Sequence, residues 1–192
     1  MVLVSSQVQA KAPVVLVIGD SISAAFGIPA QEGWVALLEK DLQQSVPAAQ
    51  IINASISGDT TQGGLTRLPA LLDRHHPSLT IIELGGNDGL RGTPIKHIKQ
   101  NLKQMVELAQ SAGSKVLLLG MQIPPNYGPR YTELFKAMYV ELADELSTDL
   151  VPFLLEGVAD KPELMQADGI HPKAQAQPIL FEQVKAKLDL ER

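Results

Sequence analysis

Short, continuous apolar runs alternate with segments of helical periodicity along most of the chain, and this alternation limits the folds that the chain can adopt. The runs are VVLVIGD at residues 14–20, a short one at 51–53, LTIIELGG, SKVLLLG and the weaker DLVPFLL. A strand that is apolar on both faces belongs to a parallel sheet covered by helices on both sides. The pattern therefore predicts an α/β fold in one domain, residues 13–190.

The segments between these runs have apolar residues at the spacing of a helix that packs on a sheet. They are residues 33–45, TTQGGLTRLPALLDRHH, 95–112, 131–146 and a last helix from about Pro172 to Leu190. Pro69 inside the second segment predicts a kink or a late start, and Pro172 suits the first turn of the last helix. Residues 1–12 are left outside the domain as a tail, a cloning scar or the remnant of a signal peptide.

Composition excludes several classes of function. The chain has no cysteine, which excludes thiol nucleophiles, thiolate zinc sites and redox switches. Its formal net charge of -5 argues against nucleic-acid binding and against an anionic membrane surface. No apolar run approaches the roughly 20 residues that span a bilayer. No set of residues has the spacing of metal ligands, so no metal is predicted. The sequence contains no P-loop or GxGxxG motif that would indicate a nucleotide cofactor.

Polar or small residues that can take part in catalysis follow the carboxyl ends of four of these runs. Ser21 follows the first run, Gly58 the second and Asn87 the third, while Asp168 and His171 come after the weak last one. Since ligand sites of such sheets lie at the carboxyl edge of the strands, these residues are expected to converge.

Ser21, Asp168 and His171 allow two interpretations. An i, i+3 spacing lets the carboxylate of Asp168 accept from the ring Nδ1–H of His171, which leaves Nε2 free to take a proton from the hydroxyl of Ser21. Alternatively, Ser21 caps a helix or binds a phosphate, Asp168 caps a turn, and His171 is solvated. No GxSxG motif is present, so an α/β-hydrolase elbow is not indicated.

Gly58 and Asn87 are candidates for stabilising an oxyanion. A glycine leaves its backbone N–H unshielded, and the side-chain amide of Asn87 can donate to a developing negative charge. Both residues also suit ordinary turns, and Asp88 is interpreted as a turn former rather than an acid.

An apolar groove is expected beside Ser21, because ligand pockets are mostly apolar and built from loops. One wall is the loop after the SKVLLLG run and the other is the loop after Asn87; a rigid proline-rich turn is the alternative for the first. The residues predicted to bind substrate are Asp20, Leu90, Arg91, Met121, Ile123, Pro124 and Tyr127.

Four blocks in this order, GDSIS, SGDTTQGGL, ELGGNDGLRG and DGIHP, resemble the SGNH subgroup of the GDSL hydrolases. The longer segments INASISGDTTQGGLTRLPALL and PPNYGPRY are similar to the bacterial members of that family described as thioesterases, lysophospholipases and arylesterases. The similarity covers nearly all of residues 14–185, and the catalytic blocks show no departure from the family pattern.

The resemblance implies a flavodoxin-like three-layer α/β/α sandwich with a five-stranded parallel sheet. It implies Ser21 as nucleophile, His171 as base and Asp168 as its orienting acid, with an oxyanion hole from the backbone N–H groups of Ser21 and Gly58 and the side chain of Asn87. Short- to medium-chain acyl esters, aryl esters, acyl thioesters and lysophospholipids are the implied substrates. No metal or cofactor is implied, and the implied location is periplasmic or secreted; the oligomeric state is left open.

Two other functions fit parts of the pattern. A carbohydrate deacetylase would use the same three catalytic residues with a polar pocket. A flavodoxin-like module without activity would bind a phosphate or a flavin at the same sheet edge.

Overall fold

The structure is a computed structural model and describes residues 12–188, in which strands and helices alternate. The strands are β1 (Val14–Gly19), β2 (Gln50–Asn53), β3 (Leu79–Glu83), β4 (Lys115–Leu119) and β5 (Asp149–Val151). The helices are α1 (Trp34–Ser45), α2 (Thr61–His75), α3 (Gly86–Leu90), α4 (Ile95–Ser111), α5 (Pro129–Leu146) and α6 (Gln177–Lys185). The tail predicted for residues 1–12 lies, except for residue 12, outside the described residues, as do residues 189 and 190.

The five strands form one parallel sheet in the order β2-β1-β3-β4-β5. Val15 of β1 pairs with Ile51 of β2 on one side and with Leu79 of β3 on the other. The chain therefore moves to one side of β1 and then crosses to the other, which makes the gap between β1 and β3 the switch point where ligands bind in such sheets. The predicted flavodoxin-like α/β fold is confirmed.

Helices cover both faces of the sheet in two groups. Helix α1 packs against α6, whereas α4 packs between α2 and α5. Helix α4 shows why its sequence forms a covering helix, because its buried residues recur three or four positions apart. They are Ile98, Leu102, Met105, Val106 and Ala109. Because helices cover the sheet from both sides, its central strands are mostly apolar: β1 is VVLVIG, and β3, LTIIE, has only Thr80 and Glu83 as polar residues.

The predicted start of the last helix is wrong, and so is the late start that was one of the two alternatives predicted for Pro69. The last helix begins at Gln177 rather than Pro172, because Pro172 pairs with Met165 in an antiparallel bridge and the Lys173 N–H donates to Leu164 O at 2.7 Å. These bonds keep the backbone extended until a short 3-10 turn at Ala174–Ala176. Pro69 does not delay α2, which begins at Thr61.

Residues 12–188 contain neither a membrane-spanning helix nor a metal-binding group of acidic and histidine side chains. None of their helices is long and apolar enough to cross a membrane. Nor do three or more of their acidic and histidine side chains gather into a group that could hold a metal ion.

Candidate active site

Ser21, His171 and Asp168 form a continuous hydrogen-bonded chain at the carboxyl edge of the sheet. The Ser21 Oγ lies 2.8 Å from Nε2 of His171, although the two residues are 150 positions apart in sequence. The Nδ1 of the same ring lies 2.7 Å from Oδ2 of Asp168. A carboxylate can only accept, so Nδ1 carries the proton and Nε2 is left to accept the Ser21 O–H. This tautomer lets the imidazole take a proton from the serine.

The turn that holds Ser21 follows β1 directly and is wound tightly. The Phe26 N–H donates to Ser21 O at 3.0 Å, and Ala25 has a φ of 57°, in the left-handed region that L-residues rarely adopt. At the start of the turn, a side chain on Gly19 would meet Ser23 and Glu83 at 2.8 Å, so only glycine fits there. Ser21 itself is 9% exposed, which leaves its hydroxyl open to the cavity described below.

Asp168 is held in its ionised form by the loop around it. Its Oδ1 accepts the backbone N–H groups of His171 at 3.0 Å and Ile170 at 2.9 Å, while Oδ2 accepts from the imidazole. The backbone bond from His171, followed by the side-chain bond from the same residue, lowers the pKa of Asp168 from 3.8 to about 2. The carboxylate is therefore charged at neutral pH and can stabilise a positive imidazolium.

The two other predicted oxyanion donors lie in different settings. The Asn87 Nδ2 donates one N–H to Asp20 Oδ2 at 2.9 Å and carries a second N–H, and the residue lines the cavity beside Ser21. Gly58 has a φ of 81°, which favours glycine, and its carbonyl accepts from Arg91 Nη2 at 3.1 Å. Gly58 is not among the residues that line the cavity.

Asp20, predicted to bind substrate, lines the cavity but has its carboxylate engaged in the protein. Its Oδ1 accepts from the Ile22 N–H at 3.0 Å and its Oδ2 from Asn87, so it holds the Asn87 amide in place. Burial raises the pKa of Asp20 from 3.8 to about 6. Asp88, interpreted as a turn former, is also buried and binds the N–H and hydroxyl of Thr61, both at 2.8 Å, at the start of α2.

Glu83 is a buried acid beneath the Ser21 turn that the sequence analysis did not single out. It is 0% exposed, and its Oε2 accepts from the Asp20 N–H at 3.2 Å and the Ser23 hydroxyl at 2.7 Å. Its Oε1 has no partner among the described atoms. Burial, followed by the charge of Asp20, raises the pKa of Glu83 well above its usual value, which favours the neutral form of the acid. The available signal was one acidic residue at the end of the apolar run LTIIE.

We expect Glu83→Gln to change how stability depends on pH. The neutral acid of the wild type contributes stability that is present below its unfolded pKa and is lost as pH rises through its raised folded pKa. From about pH 5 upward, the wild type should therefore lose about 1.4 kcal/mol of unfolding free energy per pH unit relative to the variant, until Glu83 ionises. Urea unfolding of both proteins from pH 5 to 9 measures this difference. Parallel stability profiles would show that Glu83 does not titrate in this way.

A cavity of about 690 Å³ opens beside Ser21 and His171. Of the residues predicted to bind substrate, Asp20, Leu90, Met121, Ile123 and Pro124 line it. The other two, Arg91 and Tyr127, do not line it. Instead, Arg91 binds the Gly58 carbonyl and the Tyr127 hydroxyl donates to Leu90 O at 2.8 Å, so both support the loops behind the wall.

A third wall of the cavity was missed by the sequence analysis. It comes from the segment after β5 and includes Phe153, Leu155 and Met165. The available signal is the apolar run DLVPFLL, which contains Phe153 and Leu155 but not Met165. The cavity is therefore mostly apolar along these two walls, although they also include Gln122, Glu156 and Asp160, and it is polar at the end that holds Ser21, Asn87 and His171.

Comparison with known proteins identifies the family. Residues 17–178, which are most of the chain, match the model of the GDSL-like lipase/acylhydrolase family. The chain belongs to this family. The predicted family and enzyme class, a hydrolase that acts on acyl groups, are thereby confirmed.

Individual relatives agree with this assignment. The chain is 56% identical over 176 residues to the esterase TesA of Pseudomonas aeruginosa, covering 92% of this chain and 88% of that protein. It is 45% identical over 179 residues to the protein of Escherichia coli named thioesterase 1/protease 1/lysophospholipase L1, covering 93% and 85%. A crystal structure of TesA superposes with a TM-score of 0.89 at 55% identity, covering 92% of this chain and 98% of that one.

Proposed function

We propose that the protein hydrolyses carboxylic esters and thioesters of short to medium acyl chains through an acyl-enzyme, with Ser21 as nucleophile, His171 as base and Asp168 as the acid that orients it. The observation that carries this proposal is the hydrogen-bonded chain from Ser21 through His171 to Asp168, with links of 2.8 and 2.7 Å. Both lengths are those of good hydrogen bonds.

In the first step, Ser21 Oγ forms a bond to the acyl carbon while its proton passes to Nε2 of His171. The carbonyl oxygen becomes an oxyanion, for which we propose three donors: the backbone N–H groups of Ser21 and Gly58 and the second N–H of Asn87. When the bond to the alcohol or thiol breaks, His171 returns the proton to that leaving group. The negative charge of Asp168 stabilises the imidazolium between these two transfers.

In the second step, water attacks the acyl carbon of the acyl-enzyme and gives its proton to His171. The bond to Ser21 Oγ then breaks, and the serine recovers its proton as the carboxylic acid leaves. Every bond and proton in both steps is accounted for by groups of the chain and by water, so the reaction requires no cofactor.

The apolar walls of the cavity support an acyl chain as the bound group. Met121 and Ile123 on one side and Phe153 on the other offer contacts to hydrocarbon rather than to sugar hydroxyls. This favours an acyl esterase over a carbohydrate deacetylase. The names of the relatives include esterase, thioesterase and lysophospholipase, and they support esters, thioesters and lysophospholipids as the substrate classes.

We further propose that residues 13–190 are one domain and that the protein acts in the periplasm or outside the cell. Support for the location comes from the segment VQA at residues 8–10, which matches the small-residue end of a secretory signal, and from the resemblance to exported members of the family.

Covalent labelling tests the proposed nucleophile. A fluorophosphonate reacts preferentially with an activated serine. Hydrolysis of p-nitrophenyl butyrate and octanoate should therefore be lost in parallel with the attachment of one phosphonyl group per chain. Peptide mass spectrometry should find that group on Ser21, with Ser23 serving as an internal control. Label on another residue of an active enzyme would contradict the proposal. Hydrolysis of acetylated sugars in preference to acyl esters and thioesters would favour the deacetylase.

A further inference from the structure

The loop that carries both Asp168 and His171 is closed on itself and lies outside the sheet. Met165 pairs with Pro172 across its base, and the Gln166 N–H donates to His171 O at 2.7 Å. These bonds fix Asp168 relative to His171. They do not fix either residue relative to Ser21, which belongs to a turn after β1, so the loop needs a separate attachment to that turn.

The side-chain amide of Gln166 supplies one such attachment. Its Nε2 donates to Phe26 O at 2.8 Å and to Pro172 O at 3.2 Å, so one amide group joins the Ser21 turn to the His171 loop. A primary amide has two N–H groups, and both are used here on backbone carbonyls. On the other side, Gly27 lies so close that a side chain there would meet Gln166 Oε1 at 2.4 Å.

The ring of Phe26 supplies a second attachment. Its centroid lies 4.6 Å from that of the His171 ring, with a tilt of 41° between the two planes, which is a packed aromatic contact. Phe26 is 48% exposed and does not line the cavity. Its backbone N–H donates to Ser21 O, so the position of the ring is linked to that of Ser21.

We propose that Phe26 and Gln166, here called the clasp, are positioning residues that hold the His171 loop at the distance from Ser21 required for proton transfer. This proposal rests on the function proposed above. Loss of the clasp would let the loop shift as one unit, so that the bond between Asp168 and His171 survives while the bond from His171 to Ser21 lengthens. A displacement of about 1 Å at a reacting group can lower a rate by about 10²-fold.

The clasp should therefore affect turnover and leave substrate binding unchanged. Neither Phe26 nor Gln166 lines the cavity, so substitutions there remove no contact to a bound acyl chain. Substitutions in the clasp should therefore lower kcat and leave KM unchanged, which is the result expected when the lost interaction matters only in the transition state.

Gln166→Glu is the sharpest test, because it keeps the shape of the side chain and removes both N–H donors. A carboxylate would then face two carbonyl oxygens. We expect kcat for p-nitrophenyl butyrate to fall by about tenfold to 10²-fold, with KM within about twofold. The rate of fluorophosphonate labelling at Ser21 should fall by the same factor, since it requires the same proton transfer. Gln110→Glu is the matched control, because Gln110 Nε2 donates to Leu146 O at 3.0 Å far from the cavity.

Phe26 gives an independent test if Gln166→Glu fails to fold. Phe26→Ala removes the ring and should lower kcat, whereas Phe26→Tyr keeps the ring and should restore it. Thermal unfolding midpoints of all variants separate these effects from loss of folded protein. The clasp would be rejected by a kcat within twofold of the wild type in folded Gln166→Glu and Phe26→Ala, or by a change confined to KM. An inactive, unlabelled wild type would instead reject the proposed function itself.

Discussion

Ser21→Ala is expected to lower kcat for acyl-ester hydrolysis by about 10⁴- to 10⁶-fold while the protein stays folded. The substitution removes the atom that bonds to the acyl carbon and the proton that His171 receives. The proposed oxyanion donors and the apolar cavity remain, so a small rate above that of water alone should persist. Initial rates with p-nitrophenyl butyrate, together with circular dichroism of the variant, measure the effect.

Ser78→Ala is the matched control for this experiment. The Ser78 hydroxyl also makes one hydrogen bond, to Val14 O at 3.1 Å, and Ser78 lies at the opposite edge of the sheet, just before β3. The control should retain full activity. A folded Ser21→Ala enzyme with more than about a tenth of the wild-type rate would show that another residue is the nucleophile, and the roles proposed for His171 and Asp168 would fall with it.

Much of the fold could be predicted because burial leaves a local signal in a parallel sheet. Each residue of β1 and β3 is covered from one side or the other, so the strands are visible as apolar runs without knowledge of their partners. The start of α6 was missed because Pro172 is held extended by bonds to a segment that precedes it, and helical periodicity does not record such bonds.

The predicted catalytic residues converge for a similar reason. Ser21 comes directly after β1, and Asp168 and His171 share one turn that follows the last strand, so chain order predicts that both segments lie toward the same edge of the sheet. The groups that support them depend on contacts between distant segments. Glu83 binds the Asp20 N–H across 63 positions, and Gln166 binds Phe26 O across 140 positions. No local pattern encodes such pairs, so they become visible only in the folded chain.

Asn87→Ala is expected to lower kcat by about 10²- to 10³-fold with little change in KM, the typical effect of losing one oxyanion donor. The structure links this donor to a second group, because the other N–H of the same amide donates to Asp20 Oδ2. Burial already disfavours the charge on Asp20, and removal of Asn87 takes away one of its hydrogen-bond donors. Part of the measured effect could therefore come from a disturbed Ser21 turn rather than from the lost donor.

Binding of a transition-state analogue separates these two causes. Ser21 Oγ adds to the carbonyl carbon of a trifluoromethyl ketone with a butyl chain and forms a stable oxyanion, whereas butyrate binds as a product and forms none. If Asn87 donates to the oxyanion, Asn87→Ala should weaken the ketone by the same factor as kcat/KM and leave butyrate inhibition unchanged, because only the ketone resembles the transition state. Equal weakening of both inhibitors would mean that the cavity or the Ser21 turn has been disturbed. A ketone affinity within tenfold of the wild type would remove Asn87 from the oxyanion hole and leave that role to the backbone N–H groups of Ser21 and Gly58.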